Sequence, residues 1–274
     1  MSDTWNITAF KYAERNQRTR RDSFLFDDDH AAPHDMDYYI WLLESEGRRI
    51  LVDTGYDRSE GQRRDRPIET PPERMLADHG IAPESIETVV LTHLHYDHAG
   101  ALAAFPGAGL VVQEAEMAYA TGPCMCHDVL RMPFTGEHIC DMVRALFAGR
   151  VSFVSGSTEI APGVEVHLIG GHSRGLQAVR VRTRRGWVVL ASDASHYYEN
   201  FLTGKPFPIV VDLDDMLSGF KRLLALGGTP SHIVPGHDPL VRRLYPSTSG
   251  GNVVTLHADP KPGVMGPDGR ALQG

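Results

Sequence analysis

Five times along this chain a short apolar run of strand length ends in a loop that carries histidine or aspartate: at Asp53, at His93 to His98, at His172, at Asp193 and at His237. Loops held at strand ends by a rigid scaffold are where sites are built. A strand-rich scaffold that aims these five ends at one place is therefore the expected core of the molecule. The densest of them follows the run Thr88 to Leu91 and reads Thr92-His93-Leu94-His95-Tyr96-Asp97-His98-Ala99-Gly100. Imidazole suits zinc and other borderline metals, and carboxylate is its usual companion. Side chains two apart in an extended segment point the same way, so His93 and His95 can reach one metal. Asp97 and His98 come after the chain has begun to turn and can face a second metal beside the first.

Composition limits what such a site can serve. A formal charge of −8 argues against a nucleic-acid surface. No apolar run approaches the roughly 18 residues of a membrane span. The start Met-Ser-Asp-Thr-Trp lacks the basic and apolar regions of a signal peptide. Cys124, Cys126 and Cys140 do not make a disulfide framework, so a cytoplasmic location is expected. Cys-x-Cys-His at 124–127 has no second pair nearby and is read as structural.

Along the chain, strands are expected at 5–12, 38–44, 49–52, 88–91, 109–113, 151–154, 158–160, 164–169, 177–182, 187–191 and 231–234. Helices are expected near 71–80, 114–120, 137–148 and 212–226, the last with an acidic start that complements its dipole. Asp53, at a strand end before Thr54-Gly55, is assigned to orienting a ligand histidine. The segment 13–35, with Arg18, Arg20 and Arg21 before Asp27-Asp28-Asp29, reads as a solvated charged loop. The alternative is a rim over the site, with an arginine that meets an anionic substrate. Met117, Tyr119, Met132, Phe134, Met142 and Phe147 read mostly as core, with some free to line an apolar pocket. The Gly/Pro-rich residues 246–274 are expected to be an arm outside a main domain of 1–245.

These strand-end motifs resemble the metallo-β-lactamase superfamily over roughly residues 5–245. The resemblance implies an α+β fold, an αββα sandwich: two mixed β-sheets packed face to face with helices on the outer sides. It implies that His93, His95 and His172 hold one metal, that Asp97, His98 and His237 hold another, and that Asp193 bridges both. Within the superfamily, Gly171-His172-Ser173-Arg174-Gly175-Leu176-Gln177 and Asp193-Ala194-Ser195 with Glu199-Asn200-Phe201 are most similar to the N-acyl homoserine lactonase group. Leu176 and Arg174 depart from that group's histidine and proline, and His196 stands where the group has a catalytic tyrosine. These departures bear on the substrate and not on the hydrolytic core. A β-lactamase of the superfamily has Cys or Ser at the place of Asp193, and flavin-linked di-iron members have Glu at the place of His95.

The expected activity is that of a metal-dependent hydrolase of carboxylic esters, in which a hydroxide bound by two divalent ions opens a lactone. Zinc is the default ion, with iron or manganese as alternatives. Asp97 is expected to orient the hydroxide and relay its proton, and His196 or Tyr197 to donate a hydrogen bond to the developing oxyanion. Hydrolysis of another ester, thioester or amide, a mononuclear iron dioxygenase, and a non-catalytic binding protein are the competing readings. The expected partner is a small lactone or ester, with no nucleic acid and no membrane; a homodimer is a further candidate.

Overall fold

Alternation along the first strands decides the layers. In a strand, successive side chains point to opposite faces, and both faces here are apolar. A computed structural model of the chain describes residues 4–27, 29–68 and 70–272. Met1 to Asp3, on which part of the N-terminal reading rests, Asp28 of the acidic run and the last two residues of the C-terminal segment lie outside the described residues. The strands are β1 (Asn6–Arg15), β2 (Met36–Ser45), β3 (Arg48–Val52), β4 (Gly55–Tyr56), β5 (Thr88–Val90), β6 (Gly109–Gln113) and β7 (Val151–Val154). They continue as β8 (Ser157–Ala161), β9 (Val164–Leu168), β10 (Gln177–Thr183), β11 (Gly186–Ser192), β12 (Ile233–Pro235), β13 (Ser247–Thr248) and β14 (Val253–Thr255).

Eight of them form one sheet in the order β13-β14-β1-β2-β3-β5-β6-β7, and five form a second in the order β12-β11-β10-β9-β8. Tyr39, Trp41 and Leu43 of β2 enter one core with Val164 and Val166 of β9 and Val179 and Val181 of β10, between the sheets. Tyr38, Ile40 and Leu42 face the other way, into a second core with Leu76, Met117 and Met142 of the helices Pro72–Asp78, Glu114–Ala120 and Gly136–Phe147. The helix Leu213–Gly227 buries Met216, Phe220 and Leu223 against the smaller sheet. This is the expected αββα sandwich with two mixed sheets.

Register then delivers the site. β3 and β5 run parallel with Val52 opposite Val90, so their ends lie side by side. Asp53 accepts hydrogen bonds from the Thr92 backbone at 2.7 Å and its hydroxyl at 2.8 Å. β11 and β12 are also parallel, with Ser192 opposite Pro235. Asp193 and His237 therefore leave neighbouring strand ends. His172 lies in the β9–β10 connection, where Gly171 takes φ +85° and a side chain would strike the Met216 backbone.

The described part of the C-terminal segment, residues 246–272, packs against the sandwich. β14 pairs with β1, and Val254, Leu256 and Leu272 are buried in the core between the sheets. Short helices at Arg58–Arg63, Tyr198–Thr203 and Leu240–Leu244 occupy stretches with no strong periodic signal. No helix among the described residues is long and apolar enough to cross a membrane.

Candidate metal centre

The histidine loop changes direction where the sequence suggests it should. His95 is extended, with φ −66° and ψ 158°, and Tyr96–Ala99 makes a single helical turn. His93, His95 and His172 bring their donor atoms within 4.8 Å of one another, and so do Asp97, His98 and His237. All seven residues expected to bind metal meet in one buried region.

Asp193 lies between the two groups. Its Oδ2 is 3.1 Å from Nε2 of His172 and 3.8 Å from Nε2 of His93. Its Oδ1 is 3.0 Å from Nε2 of His237 and 3.3 Å from Nε2 of His98. One carboxylate thus offers a different oxygen to each half of the cluster.

Outer hydrogen bonds fix which nitrogen faces inward. Nδ1 of His98 donates to Asp53 at 2.7 Å, which is the role expected for that aspartate. Nδ1 of His172 donates to the Ile209 carbonyl at 2.7 Å, and Nδ1 of His237 to the Asp37 carbonyl at 2.8 Å. Such partners orient a ligand histidine and set its tautomer. Nε2 of His93, His98 and His172 and Oδ1 of Asp193 are buried without a hydrogen bond among the described residues. Buried polar atoms are normally satisfied, so four such atoms around one space fit a divalent cation. Imidazole and carboxylate donors of this kind suit zinc.

Electrostatics agree. Burial pushes the His93 and His95 imidazoles well below their usual range, toward the neutral form that binds metal. On His98 burial acts the same way, but Asp193, Asp53 and Asp97 outweigh it and raise its pKa well above normal. Burial would raise Asp193, yet His237, His196 and His98 hold it well below the usual carboxylate range.

The sequence model of the metallo-beta-lactamase superfamily matches residues 36–262. The chain belongs to the metallo-β-lactamase superfamily. Among its relatives is an N-acyl homoserine lactonase of Bacillus cereus, 31% identical over 202 residues, which cover 68% of this chain and 74% of that one. A second, from Agrobacterium fabrum, is 35% identical over 174 residues, covering 59% and 56%. A solved N-acyl homoserine lactone hydrolase with the product N-hexanoyl-L-homoserine at its catalytic metal centre superposes with a TM-score of 0.73 at 25% identity, over 89% of this chain and 96% of that one. This superfamily member is a metal-dependent hydrolase of lactonase type, as the sequence suggests.

The two expected hydrogen-bond donors separate. His196 is buried at the centre, with Nε2 2.9 Å from Oδ2 of Asp193 and its ring stacked on Phe207 at 3.7 Å. Burial lowers its pKa to about 3, so it is a neutral N–H donor at ordinary pH. Tyr197 points elsewhere: its hydroxyl donates to the Asp35 carbonyl at 3.2 Å and receives Arg18 at 3.1 Å. Tyr198 packs into the core, and its backbone N–H donates to Asp238 at 2.9 Å. Cys124 is half-buried and Cys126 and Cys140 are exposed, and none belongs to the metal-ligand groups found among the described residues. Of the apolar residues at 117–147, Met117, Tyr119, Phe134 and Met142 are core, while Met132 and Phe147 are exposed.

Glu116 is a positioning residue that the sequence does not single out. Fully buried, its carboxylate accepts from Leu94 N at 2.9 Å, Ser173 Oγ at 2.8 Å and Gly175 N at 2.8 Å. It ties the histidine loop to the His172 loop. Gly175 must lack a side chain, since a Cβ would lie 2.1 Å from the Glu116 backbone. An acidic residue in a first helical turn is ordinary, so no local signal marks it. Glu116→Ala is expected to weaken metal affinity by roughly 10- to 100-fold, measured by chelator competition, with Glu116→Gln milder. Unchanged affinity in both variants would reduce Glu116 to packing.

Proposed function

We propose that this hydrolase opens a lactone ring with two divalent ions, zinc by default. His93, His95 and His172 would hold one, Asp97, His98 and His237 the other, and Asp193 both. The observation that carries this reading is the Asp193 carboxylate, whose two oxygens face two different histidine groups. When bound, such ions lower the pKa of water toward 7 and polarise an ester carbonyl.

The chain's own residues do the rest. Asp97, with Oδ2 3.9 Å from Nε2 of both His98 and His237, takes up the proton of the attacking water and passes it to the ring oxygen that leaves as the alcohol of the hydroxy acid. His196, whose single N–H faces the Asp193 carboxylate at 2.9 Å, would turn it toward the charge that develops beside that group. Phe207 and Pro133 line the same cavity and exclude water from one wall. A lactone suits this arrangement because one ring holds both ester oxygens. The names of the relatives support the same substrate class.

The test is a panel of lactones with short and long acyl chains, given to zinc-loaded protein with products identified by mass. Ring-opened hydroxy acids, heavier by one water, are expected. Turnover of thioesters or amides with every lactone left intact would overturn the reading.

A further inference from the structure

The cavity over the metal-ligand cluster is lined by arginines that make no ion pair among the described residues. Besides His172, Asp193 and His237 it is lined by Arg15, Arg18 and Arg66. Arg18 is only 6% exposed. Its guanidinium meets Met36 Sδ at 2.6 Å, the Asp22 carbonyl at 2.6 Å and the Tyr197 hydroxyl at 3.1 Å, and its Nε is buried with no partner. No carboxylate among the described residues answers it: the Asp22 side chain is taken by the Thr19 backbone at 3.0 Å. Arg66 bonds the Tyr96 hydroxyl, and its Nε is likewise buried and unpartnered. Arg15 makes no ion pair among the described residues.

Several other half-buried arginines meet carboxylates, whereas Arg150 and Arg185, away from the cavity, bond backbone carbonyls and, for Arg185, the Tyr245 hydroxyl. Arg20, two residues beyond Arg18, has Asp27 at 2.5 Å and Glu199 at 2.6 Å. Arg64 bonds Glu60, and Arg242 bonds Asp37 at 2.5 Å. Arg15, Arg18 and Arg66 differ in lining the cavity of the reaction centre. A buried charge without a partner is costly, and a guanidinium fork fits a carboxylate bidentately. The centre does not supply the missing charge, because divalent ions bound there outweigh Asp97 and Asp193. The cavity is also small, about 60 Å³, against the several hundred Å³ of common ligand pockets.

We propose that the cavity takes a small lactone carrying a carboxylate, with its ring ester at the histidine cluster and its carboxylate on Arg18, assisted by Arg66. This rests on the lactonase reading above, and the experiment separates the two. In the first arm, zinc-loaded full-length protein is titrated calorimetrically with glutarate and with its monoamide, glutaramate. Wild type is expected to bind glutarate about tenfold tighter or more, the range of a charge-assisted hydrogen bond. Arg18→Met should bring that ratio close to one. Arg66→Met, on a half-exposed side chain, should lower it as well and serves if Arg18→Met does not fold. Equal affinities in wild type overturn the anion site, whatever the protein hydrolyses. In the second arm, a γ-lactone with a ring carboxylate is compared with the same lactone bearing a primary carboxamide. Higher kcat/KM for the carboxylate supports the proposal, and equal or lower values overturn it. A glutarate preference without turnover of either lactone overturns the lactonase reading and leaves the anion site standing.

Discussion

Asp193→Ala is expected to lose at least one divalent ion per chain and to lower kcat/KM by about 10³-fold or more, since a catalytic metal contributes several kcal/mol of charge stabilisation. Among the described residues, Asp193 is the only one whose two oxygens reach both histidine groups, at 3.1 Å from His172 and 3.0 Å from His237. Its removal also takes away the carboxylate that holds His98, His237 and His196 in one electrostatic cluster. Elemental analysis and steady-state kinetics on the same preparation read both effects. A variant that keeps full metal content and activity within about tenfold of wild type would remove Asp193 from the centre, because a tenfold loss is only about 1.4 kcal/mol.

The second large effect is expected at His196. His196→Ala should lower kcat by about 10²–10³ with metal content unchanged, the usual cost of losing a hydrogen-bond donor to an oxyanion. Its Nε2 lies 2.9 Å from Asp193, and Phe207 stacked at 3.7 Å holds the ring in place. Loss of metal together with activity would instead make His196 a positioning residue for Asp193. Tyr197→Phe is expected to act on stability first, by about 1 kcal/mol, because its hydroxyl bonds the Asp35 carbonyl and Arg18. If kcat stays within about threefold in both variants, no donor on this loop serves the reaction.

Much of the centre is legible because its signals are local. His93 to His98 lie within six residues, and the turn at Tyr96 follows directly from an extended His95. Asp53, at the end of β3, meets His98 because β3 and β5 are parallel, which their apolar runs already suggest. What escapes the sequence depends on contacts between distant segments. Glu116 reaches Ser173 and Gly175, 57 and 59 residues away, and nothing in its neighbourhood distinguishes it from Glu114. Counting from Asp193 points to His196 and admits Tyr197 if the loop shifts by one residue, but the Tyr197 side chain turns toward the segment that carries Arg18. That segment, read chiefly as a solvated loop, contributes one buried arginine to the cavity and one, Arg20, to surface ion pairs. Charge pattern alone cannot divide them, because the division is made by Asp27 and Glu199. The Gly/Pro-rich C-terminus hides Leu256 and Leu272, whose burial depends on a sheet edge at β1 supplied by the other end of the chain.

The central claim is that one carboxylate joins two metal sites in a single hydrolytic centre. Native mass spectrometry of the intact wild-type chain, purified without chelator and supplied with zinc, tests it most directly. A dominant species with two zinc ions per chain is expected, converted in Asp193→Ala to species with one or none. A wild-type chain that saturates at one ion would contradict it.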